Sequence, residues 1–469
     1  MTPGTPDNPL RVAIVGSGPS GFYTAGHLLN AKKLPDLTAQ VDMYDRLPTP
    51  WGLVRGGVAP DHPNIKAVSR VYEKTAAHPE FRFFGNVEFG RDLSHEDLVE
   101  RYHAVIYAVG AQTDKQMGIP GEQLPGSWAA TEFVAWYNGH PDYFDREFDL
   151  SHERAVVIGN GNVAADVARM LALTREELEC TDVAEHAIDA LADSGIEEIM
   201  VLGRRGPAQA AFTNPELLEL GEMTDADCFV DARDCEIDPL SKEWLESDEA
   251  DTTARKNVDI LSGYSSREPA GKRRRIVLRF LVSPVEILGE ERVEGIRICR
   301  NELHLDESGA LRARATAATE DIPCGIVFRS IGYKGVPLPG LPFDERRGTI
   351  PNELGRITGE DGPVHGEYVV GWIKRGPTGI IGTNKRDAQE TVDRLLEDLA
   401  EGTLLEPSDP DRDSLEQLLD ERRPAHVTYA GWEAIDEQER GAGEPQGRPR
   451  VKLTRFEQLL EAARERVSS

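Results

Sequence analysis

Four apolar runs rich in β-branched residues mark this chain, and small residues follow each of them. The runs are Arg11–Val15, Arg101–Val109, Arg154–Ile158 and Gly325–Ile331. Short apolar runs of this kind predict strands that are buried on both faces of a parallel sheet. The first and third lead into glycine-rich turns and then into helical stretches, whereas the second and fourth end at a glycine. The pattern therefore predicts an α/β fold that contains two similar units.

The first glycine-rich turn follows Arg11–Val15 and precedes a predicted helix over residues 22–29. In a G-x-G-x-x-G turn the first glycine permits the tight turn, the second lets the backbone approach a pyrophosphate, and the third lets helix and strand pack closely. Here those positions are Gly16, Gly18 and Gly21. Because a helix N-terminus also attracts phosphate, this unit is predicted to bind a dinucleotide.

Asp45 comes directly after the second predicted strand, Gln40–Tyr44. Dinucleotide-binding units place the acid that binds a ribose at about this distance. A carboxylate here accepts hydrogen bonds from the ribose hydroxyls and repels a 2′-phosphate. The first site is therefore predicted to hold FAD or NAD rather than NADP, with a surface acid at a strand end as the alternative interpretation.

The loop Thr49–Lys66 is dense in proline and glycine and too apolar for a solvent-exposed linker. Its position shortly after Asp45 leads us to predict that it lies over a bound flavin. A helix over Asn64–Ala77 and a strand over Phe81–Phe89 are predicted to follow.

The second unit repeats the arrangement with alanine in the third motif position. Arg154–Ile158 leads into Gly159–Ala164, a G-x-G-x-x-A turn, and residues 165–173 are predicted to continue as a helix. Alanine is a common variation at this position. Residues 174–194 are predicted to form an extra helical insertion before the next strand. Two such units in one chain are far more specific than either alone.

Arg204 and Arg205 end the next predicted strand, where an NAD-binding unit would carry an acid. Arginine offers a planar, permanently charged fork that suits a phosphate. The pair is predicted to clamp the 2′-phosphate of NADP, and a solvated basic pair is the alternative.

A further helix is predicted after the arginine pair, because Thr213 or Asn214 can cap it and Pro215 suits its first turn. This helix places Glu216 and Glu219 one turn apart. An exposed helix face is the alternative interpretation of these two acids.

The stretch Gly376–Gly382 is predicted to open a helix that runs to about Ala400. Such a helix N-terminus directs N–H groups and a positive dipole end at the flavin N1/O2 edge, where negative charge gathers on reduction. Both chain ends then build the flavin domain, and a last helix is predicted over Arg455–Arg466. The predicted domains are 1–112 for the first part of the FAD-binding domain, 113–325 for the NADP-binding domain, and 326–469 for the second part of the FAD-binding domain with a C-terminal extension.

The net charge of −29 disfavours nucleic acid and anionic lipid as partners, because both require a cationic surface. In so acidic a chain one basic cluster is unusual. It consists of Lys272, Arg273, Arg274 and Arg275. A turn of solvated charges and a docking point for an acidic protein partner are the two interpretations.

The five cysteines include no Cys-x-x-Cys pair, which disfavours a redox-active dithiol, a cysteine-bound iron–sulfur cluster and a zinc site. No metal site is predicted. No apolar run approaches the roughly 20 residues of a membrane span, and the N-terminus shows no secretory signal. We therefore expect a cytoplasmic protein.

Taken together, these features resemble the NADPH–ferredoxin reductases of the adrenodoxin-reductase type, especially their actinobacterial members. The matching stretches are 15–20, 49–66, 107–111, 157–164, 203–207 and 370–379. The resemblance implies two Rossmann-like dinucleotide-binding domains, with the NADP domain inserted in the FAD domain, as in the glutathione-reductase-like flavoproteins. It also implies a ferredoxin–NADP reductase, in which NADPH gives a hydride to the flavin N5 of FAD and electrons pass singly to a ferredoxin, an acidic iron–sulfur protein.

The resemblance further implies the site residues. Those implied for FAD are Gly16, Gly18, Gly21, Asp45, Leu53, Val87, Trp372, Gly379, Ile380 and Ile381. Those implied for NADP are Lys115, Asn160, Gly161, Asn162, Val163, Ala164, Arg204, Arg205 and Glu216, with Gly379 shared. His62 and Glu219 are implied to lie near the flavin and to support the reaction. The chain departs from the family at Asp45, where glutamate is common and reaches further, and at Lys115, where arginine is frequent.

Two other function classes stay open. A flavin monooxygenase, or an NADPH oxidoreductase with a small-molecule acceptor, shares the two units but needs a closed substrate cavity beside the flavin. A non-enzymatic flavin-binding electron-transfer subunit needs no NADP clamp, so Arg204 and Arg205 argue against it. The cysteine pattern disfavours both a disulfide reductase and a glutamate-synthase small subunit.

Overall fold

Two β-sheets organise the protein, one with a parallel centre and one parallel throughout, and the computed structural model describes residues 3–31, 34, 36–248 and 250–464. In chain order the strands are β1 (Leu10–Val15), β2 (Ala39–Tyr44), β3 (Phe81–Gly85), β4 (Ala104–Tyr107), β5 (Thr113–Asp114), β6 (Ser127–Ala129), β7 (Arg154–Ile158), β8 (Glu198–Leu202), β9 (Ala226–Val230), β10 (Arg274–Arg279), β11 (Val282–Leu288), β12 (Gly295–Leu305), β13 (Leu311–Pro323), β14 (Ile326–Arg329), β15 (Tyr333–Lys334), β16 (Asn352–Glu353), β17 (Arg356–Gly359), β18 (Gly362–Val369) and β19 (Val427–Thr428).

The helices cover the faces of these sheets and form most of the C-terminal part. They are α1 (Pro19–Leu29), α2 (Leu53–Gly56), α3 (Pro63–Lys66), α4 (Ser69–Ala76), α5 (His95–Val99), α6 (Ala130–Tyr137), α7 (Asn162–Met170), α8 (Arg175–Leu178), α9 (Glu185–Ala192), α10 (Asn214–Leu220), α11 (Pro239–Glu246), α12 (Thr252–Ser265), α13 (Trp372–Arg375), α14 (Thr383–Glu401), α15 (Arg412–Arg422), α16 (Tyr429–Gly443) and α17 (Phe456–Arg464), with 3-10 turns at Pro207–Gln209 and Glu444–Gln446.

The first sheet has eight strands in the order β16-β17-β18-β4-β1-β2-β3-β19. Its centre, from β18 to β3, is parallel. Strand β1 sends Val12 and Ile14 into a core shared with α1 and α14, and Ala13 and Val15 into a core on the opposite face. Burial on both faces explains why β1 is a continuous apolar run rather than an alternating one.

The second sheet has six parallel strands in the order β6-β14-β7-β8-β10-β9. Strand β7 again feeds two cores. Ala155 and Val157 pack with α6, α7 and α9, whereas Val156 and Ile158 pack against the antiparallel sheet β11-β12-β13. These two sheets confirm the predicted α/β fold with two similar units.

The chain passes from the first sheet to the second after β4 and returns after β14. Each of these two connecting segments contains a short strand, β5 in the first and β15 in the second, and the two strands pair antiparallel. Strand β14 lies between β7 and β6, so the second sheet extends beyond the predicted boundary at residue 325. The chain therefore returns to the first sheet only after Arg329.

Several elements of the structure have bounds that differ from the predicted ones. The strand expected over Phe81–Phe89 ends at Gly85, because Asn86 adopts φ 59° and Val87 bonds to the Asp45 carbonyl instead. The helix expected over Asn64–Ala77 is divided into α3 and α4. The helical insertion predicted over residues 174–194 is present as α8 and α9.

After β18, Trp372–Arg375 forms a short helix, and the long helix begins at Thr383, after the Gly376–Gly382 stretch that was predicted to open it. The last predicted helix is seen as α17, and residues 465 and 466 lie outside the described part of the chain. Among the residues with assigned structure, no helix combines the length and the apolarity that a membrane crossing requires.

The basic cluster Lys272–Arg275 is largely built into the second sheet. The Lys272 Nζ donates to the carbonyls of Met223 and Ala226 at 2.5 and 3.4 Å. Arg274 is buried and donates to the carbonyls of Ile196 and Leu173. These two side chains therefore satisfy buried carbonyls. Arg274 is buried and Lys272 half-buried, which leaves Arg273 and Arg275 as the exposed members of the four-residue docking point suggested by the sequence.

Candidate functional site

A cavity of about 560 Å³ opens at the carboxyl ends of the central strands of the first sheet. That volume lies within the range of roughly 300–1,000 Å³ usual for ligand sites, and the carboxyl end of a parallel sheet is where such folds bind ligands. Its lining includes seven of the residues predicted for FAD, namely Gly16, Gly18, Asp45, Leu53, Val87, Trp372 and Ile381.

The glycine turn after β1 has the geometry that a close pyrophosphate approach needs. Gly16 adopts φ +109°, and a Cβ there would lie 2.5 Å from the Ala108 carbonyl oxygen. Gly21 packs so tightly that a Cβ would lie 2.2 Å from the Gly16 carbonyl oxygen. Gly18 faces the cavity, and nothing lies within 4 Å of the position its Cβ would take. Gly16 and Gly21 thus hold the turn, while Gly18 keeps space open above it.

Asp45 is fixed at the cavity wall by the same turn. Its carboxylate accepts hydrogen bonds from the Ser17 N–H at 2.9 Å and the Ser17 hydroxyl at 2.5 Å, and from the Leu47 N–H at 2.9 Å. An oriented, half-buried carboxylate beside an open cavity suits a ribose diol, which offers donors to an acceptor-only group.

The loop Thr49–Lys66 forms one wall of the cavity through Leu53 and its neighbours. Trp51 anchors it: the buried ring lies 4.6 Å from that of Phe22, and the Trp51 N–H donates to the Ser17 carbonyl. Trp51 adopts φ +84°, a costly conformation for a bulky residue that close packing maintains.

Trp372 faces the cavity and its buried indole Nε1–H has no hydrogen-bond partner among the residues that the structure describes. A buried unpaired donor on a residue that lines the cavity is compatible with a ligand that carries acceptors, such as a flavin. Ile381 also lines the cavity, whereas Gly379 and Ile380 are exposed on the loop beside it.

The second glycine turn is built like the first. Gly159 adopts φ +136°, and a Cβ there would lie 2.1 Å from the Ser330 carbonyl oxygen. Asn162, the first residue of α7, accepts a hydrogen bond from the Thr213 N–H at 2.8 Å. The Asn160 Nδ2 of this turn is buried without a hydrogen-bond partner in the described structure. The remaining predicted residues of the turn are Gly161, Val163 and Ala164, of which Val163 and Ala164 lie in α7.

Arg204 is exposed and Arg205 is half-buried just beyond β8. Within the described residues, no carboxylate lies within 4.0 Å of either guanidinium, although most arginines of this acidic chain form ion pairs. Burial lowers the pKa of Arg205, and the neighbouring Arg204 and Arg312 add to that shift. Two adjacent cations without a carboxylate partner favour an anion such as a phosphate. The Lys115 side chain is exposed near Gly332, on the segment that links the two sheets.

His62 and Glu219 meet although they are far apart in sequence. The His62 Nε2 and the Glu219 Oε2 are 2.8 Å apart, and the His62 Nδ1 lies 3.6 Å from Glu216. His62 belongs to the cavity-covering loop and the two glutamates to α10, so this contact joins the two nucleotide units. Neither His62 nor Glu219 lines the cavity itself.

Comparison with known proteins gives a consistent answer, although no family model matches the chain. The chain is 53% identical to the NADPH-ferredoxin reductase FprA of Mycobacterium leprae over 452 residues, which cover 96% of this chain and 97% of that protein. It is 42% identical to the mitochondrial NADPH:adrenodoxin oxidoreductase of Arabidopsis thaliana, covering 97% and 95%. The chain belongs to the NADPH–ferredoxin reductase family.

A solved structure of this reductase family shares the whole fold. Mycobacterium tuberculosis FprA in complex with NADPH matches with a TM-score of 0.92 and 51% identity, and the match covers 97% of this chain and 100% of that one. The expected class, two Rossmann-like domains of the glutathione-reductase-like kind, is thereby confirmed.

Sequence reasoning missed the arginine that organises the junction between the reductase's two units. Arg169, in the last turn of α7, is buried and contacts Asp61 at 2.6 Å, Asp166 at 2.7 Å and Glu216 at 3.2 Å. Burial raises the pKa of Glu216, and Asp166 adds to the shift although Arg169 opposes it. The available signal was the Asp166–Arg169 pair at helical spacing, which also occurs on exposed helices.

His62, Glu216 and Glu219 also offer ligand atoms within 4.8 Å of one another. Such spacing suits a metal, but the Arg169 Nη1 already lies 3.2 Å from Glu216 and 3.5 Å from Glu219. A guanidinium supplies the positive charge among these carboxylates, so we assign no metal to them.

Proposed function

We propose that this chain is an FAD-dependent NADPH–ferredoxin reductase that uses two nucleotide sites joined through the loop Thr49–Lys66. It is an oxidoreductase with FAD and NADP as its cofactors. When bound, the cofactors supply the redox chemistry, in which a hydride leaves NADPH for the flavin N5 and electrons depart one at a time. The observation that carries the proposal is the contact of His62, on the flavin-side loop, with Glu219, on the NADP-side helix.

The roles of the protein follow from the geometry. In our proposal the Gly16–Gly21 turn and Asp45 bind the pyrophosphate and ribose of FAD, and Trp372 donates its free Nε1–H to the cofactor. Asn160–Ala164 bind the NADP pyrophosphate, and Arg204 with Arg205 bind its 2′-phosphate. We keep the domain assignment predicted from the sequence, but we extend the NADP domain from residue 325 to Arg329.

Glu219→Gln is expected to slow flavin reduction by less than about tenfold and to leave the binding of both nucleotides unchanged. The effect is expected to be small because hydride transfer to a flavin needs no protein general base. Loss of a true general acid or base would lower the rate roughly 10²–10⁴-fold. Stopped-flow flavin reduction by NADPH measures this, and Glu222→Gln, an exposed change just beyond the same helix, is the control. A loss of 100-fold or more would instead make the His62–Glu219 pair an essential acid–base group.

Membership of the NADPH–ferredoxin reductase family implies a ferredoxin- or adrenodoxin-type electron acceptor. We narrow the proposed docking point to the two exposed members of the basic cluster, Arg273 and Arg275. Arg275 pairs with Glu198 at 2.5 Å, but its side chain is 54% exposed, and Arg273 is exposed with one bond to the Ser194 carbonyl. An acidic ferredoxin would complement these charges.

NADPH-dependent cytochrome c reduction, with and without added ferredoxins, tests both the function and the docking point. Ferredoxin is expected to accelerate turnover, and Arg273→Glu/Arg275→Glu to raise its KM about 3- to 10-fold by like-charge repulsion. Ferricyanide reduction checks that the flavin site still works, and Arg233→Glu, which is exposed in the same domain, is the matched control. If no ferredoxin accelerates turnover, the assignment of ferredoxin as the electron acceptor is wrong. If the KM for ferredoxin is unchanged in the Arg273→Glu/Arg275→Glu variant, only the proposed docking point is wrong.

A further inference from the structure

The segment Arg448–Leu453, which we call the C-terminal strap, connects the turn Glu444–Gln446 to α17. Two of its cations are buried, Arg448 and Lys452, and the Lys452 side chain is fully enclosed. Lysine is almost never fully buried unless it is paired. The partners of these two side chains therefore show what the strap holds.

On the flavin side the strap contacts the loop Thr49–Lys66, here called the flavin-side loop, through Glu439 of α16. Glu439 is fully buried and accepts two hydrogen bonds from the Arg55 guanidinium, at 2.8 and 2.5 Å. The same carboxylate accepts from Arg450 at 3.1 Å and from the Leu453 N–H at 2.8 Å. One carboxylate thus joins the strap to the loop that forms a wall of the cavity.

On the NADP side the strap binds the helical insertion between α7 and β8. Arg448 donates to the carbonyls of Thr181, at 3.1 Å, and Val183. The Lys452 Nζ lies 3.2 Å from Asp182, whose other oxygen accepts from Lys66 of the flavin-side loop at 2.6 Å. Asp182 is therefore held between a cation of the loop and a cation of the strap.

The same contacts extend to the cavity itself. Lys452 donates to the Asn138 side-chain oxygen at 3.3 Å and to the Arg55 carbonyl at 3.2 Å, and Lys66 lies 3.4 Å from that Asn138 oxygen. Asn138, Arg55 and Leu453 all line the cavity. The strap is consequently part of the cavity wall as well as a link between the two units.

We propose that Lys452 is a positioning residue. It joins the Arg55 carbonyl of the flavin-side loop to Asp182 of the NADP-side insertion, in addition to the direct Lys66–Asp182 pair, and thereby sets the placement of the two nucleotide sites relative to each other. The proposal rests on the proposed function above. A displacement of about 1 Å in the reacting partners can lower a rate by roughly 100-fold, so a link of this kind affects the rate without contacting either nucleotide.

Lys452→Met tests the proposal, because Asp182 keeps Lys66 as its partner and no unpaired charge is left buried. The rate of flavin reduction at saturating NADPH is expected to fall about tenfold, with FAD content retained and the KM for NADPH changed less than twofold. Amide hydrogen exchange in residues 49–66 and 174–194 is expected to rise in the protein measured without NADPH and without ferredoxin.

Arg356→Met is the matched control, since Arg356 pairs with Asp398 wholly within the first sheet and its α14 helix. It is expected to lower stability without changing the rate or the exchange of those two segments. Arg448→Met serves as the second variant if Lys452→Met does not fold. It removes the donors to the Thr181 and Val183 carbonyls, and the charge that loses its partner, Glu185, is exposed.

An unchanged rate and unchanged exchange in a folded strap variant would overturn the proposal, as would a rate loss that only matches lost FAD. Failure of NADPH to reduce the flavin in the wild-type protein would instead overturn the proposed function. The exchange result is independent of that outcome, because it needs neither substrate.

Discussion

Replacing Arg204 and Arg205 together with alanine is expected to remove most of the preference for NADPH over NADH. The kcat/KM for NADPH should fall roughly 100-fold or more, while that for NADH stays within about threefold. Hydrogen bonds to a charged group contribute about 1.5–3 kcal/mol each, which corresponds to roughly 10- to 100-fold per arginine. NADH lacks the 2′-phosphate, so it has nothing to lose at this position.

The structure strengthens this expectation, because no carboxylate of the described residues pairs with either guanidinium, so both charges are available to a phosphate. Arg312→Ala is the matched control: Arg312 lies on β13 of the antiparallel sheet and already pairs with Asp306 at 2.8 Å. Its removal should change the ratio less than about threefold. If the double variant keeps the wild-type ratio of kcat/KM values for the two nucleotides, the proposed clamp is wrong.

The parts of the fold that the sequence predicted well are those with a local physical signature. Strand β7 has the expected bounds because its apolar run is bounded by a charged residue and a glycine. The turns at Gly16 and Gly159 could be predicted because glycines at motif spacing directly follow an apolar run, and the positive φ of +109° and +136° favours glycine at both positions. These constraints act over a few residues, so a single sequence contains them.

The less predictable parts depend on contacts between distant segments. Arg169 and Asp61 are 108 positions apart in the chain, and no local pattern marks them as partners. The basic cluster shows the same limit, since a run of four cations is identical in sequence whether it faces solvent or, like Arg274, donates to buried carbonyls. The strap Arg448–Leu453 shows this limit too, because its buried cations bind the Thr181 carbonyl and Asp182, more than 260 positions away in the chain.

The two nucleotide sites should be separable by one methyl group each. Gly18→Ala is expected to weaken FAD binding by about 1–3 kcal/mol, or roughly 10- to 100-fold, as added volume does in a close-packed contact. The apoprotein should melt at nearly the wild-type temperature, because Gly18 has φ −77° and no atom lies within 4 Å of the added Cβ. Free FAD fluorescence gives the affinity.

Gly161→Ala is the equivalent change in the second turn, where φ is −113° and the nearest atom to an added Cβ is the Ala211 Cβ at 3.8 Å. It should retain FAD and weaken binding of 2′,5′-ADP, a probe of the NADP site that calorimetry measures directly. Gly16→Ala provides the contrast, because its Cβ would clash with the Ala108 carbonyl and should destabilise the apoprotein itself.

If Gly18→Ala and Gly161→Ala weaken the binding of the same nucleotide, or if neither weakens the binding of any nucleotide, the assignment of one cofactor to each turn is wrong. If each weakens only its own, the two turns are independent sites, and the loop Thr49–Lys66 with its His62–Glu219 contact is the part of the protein that brings them together.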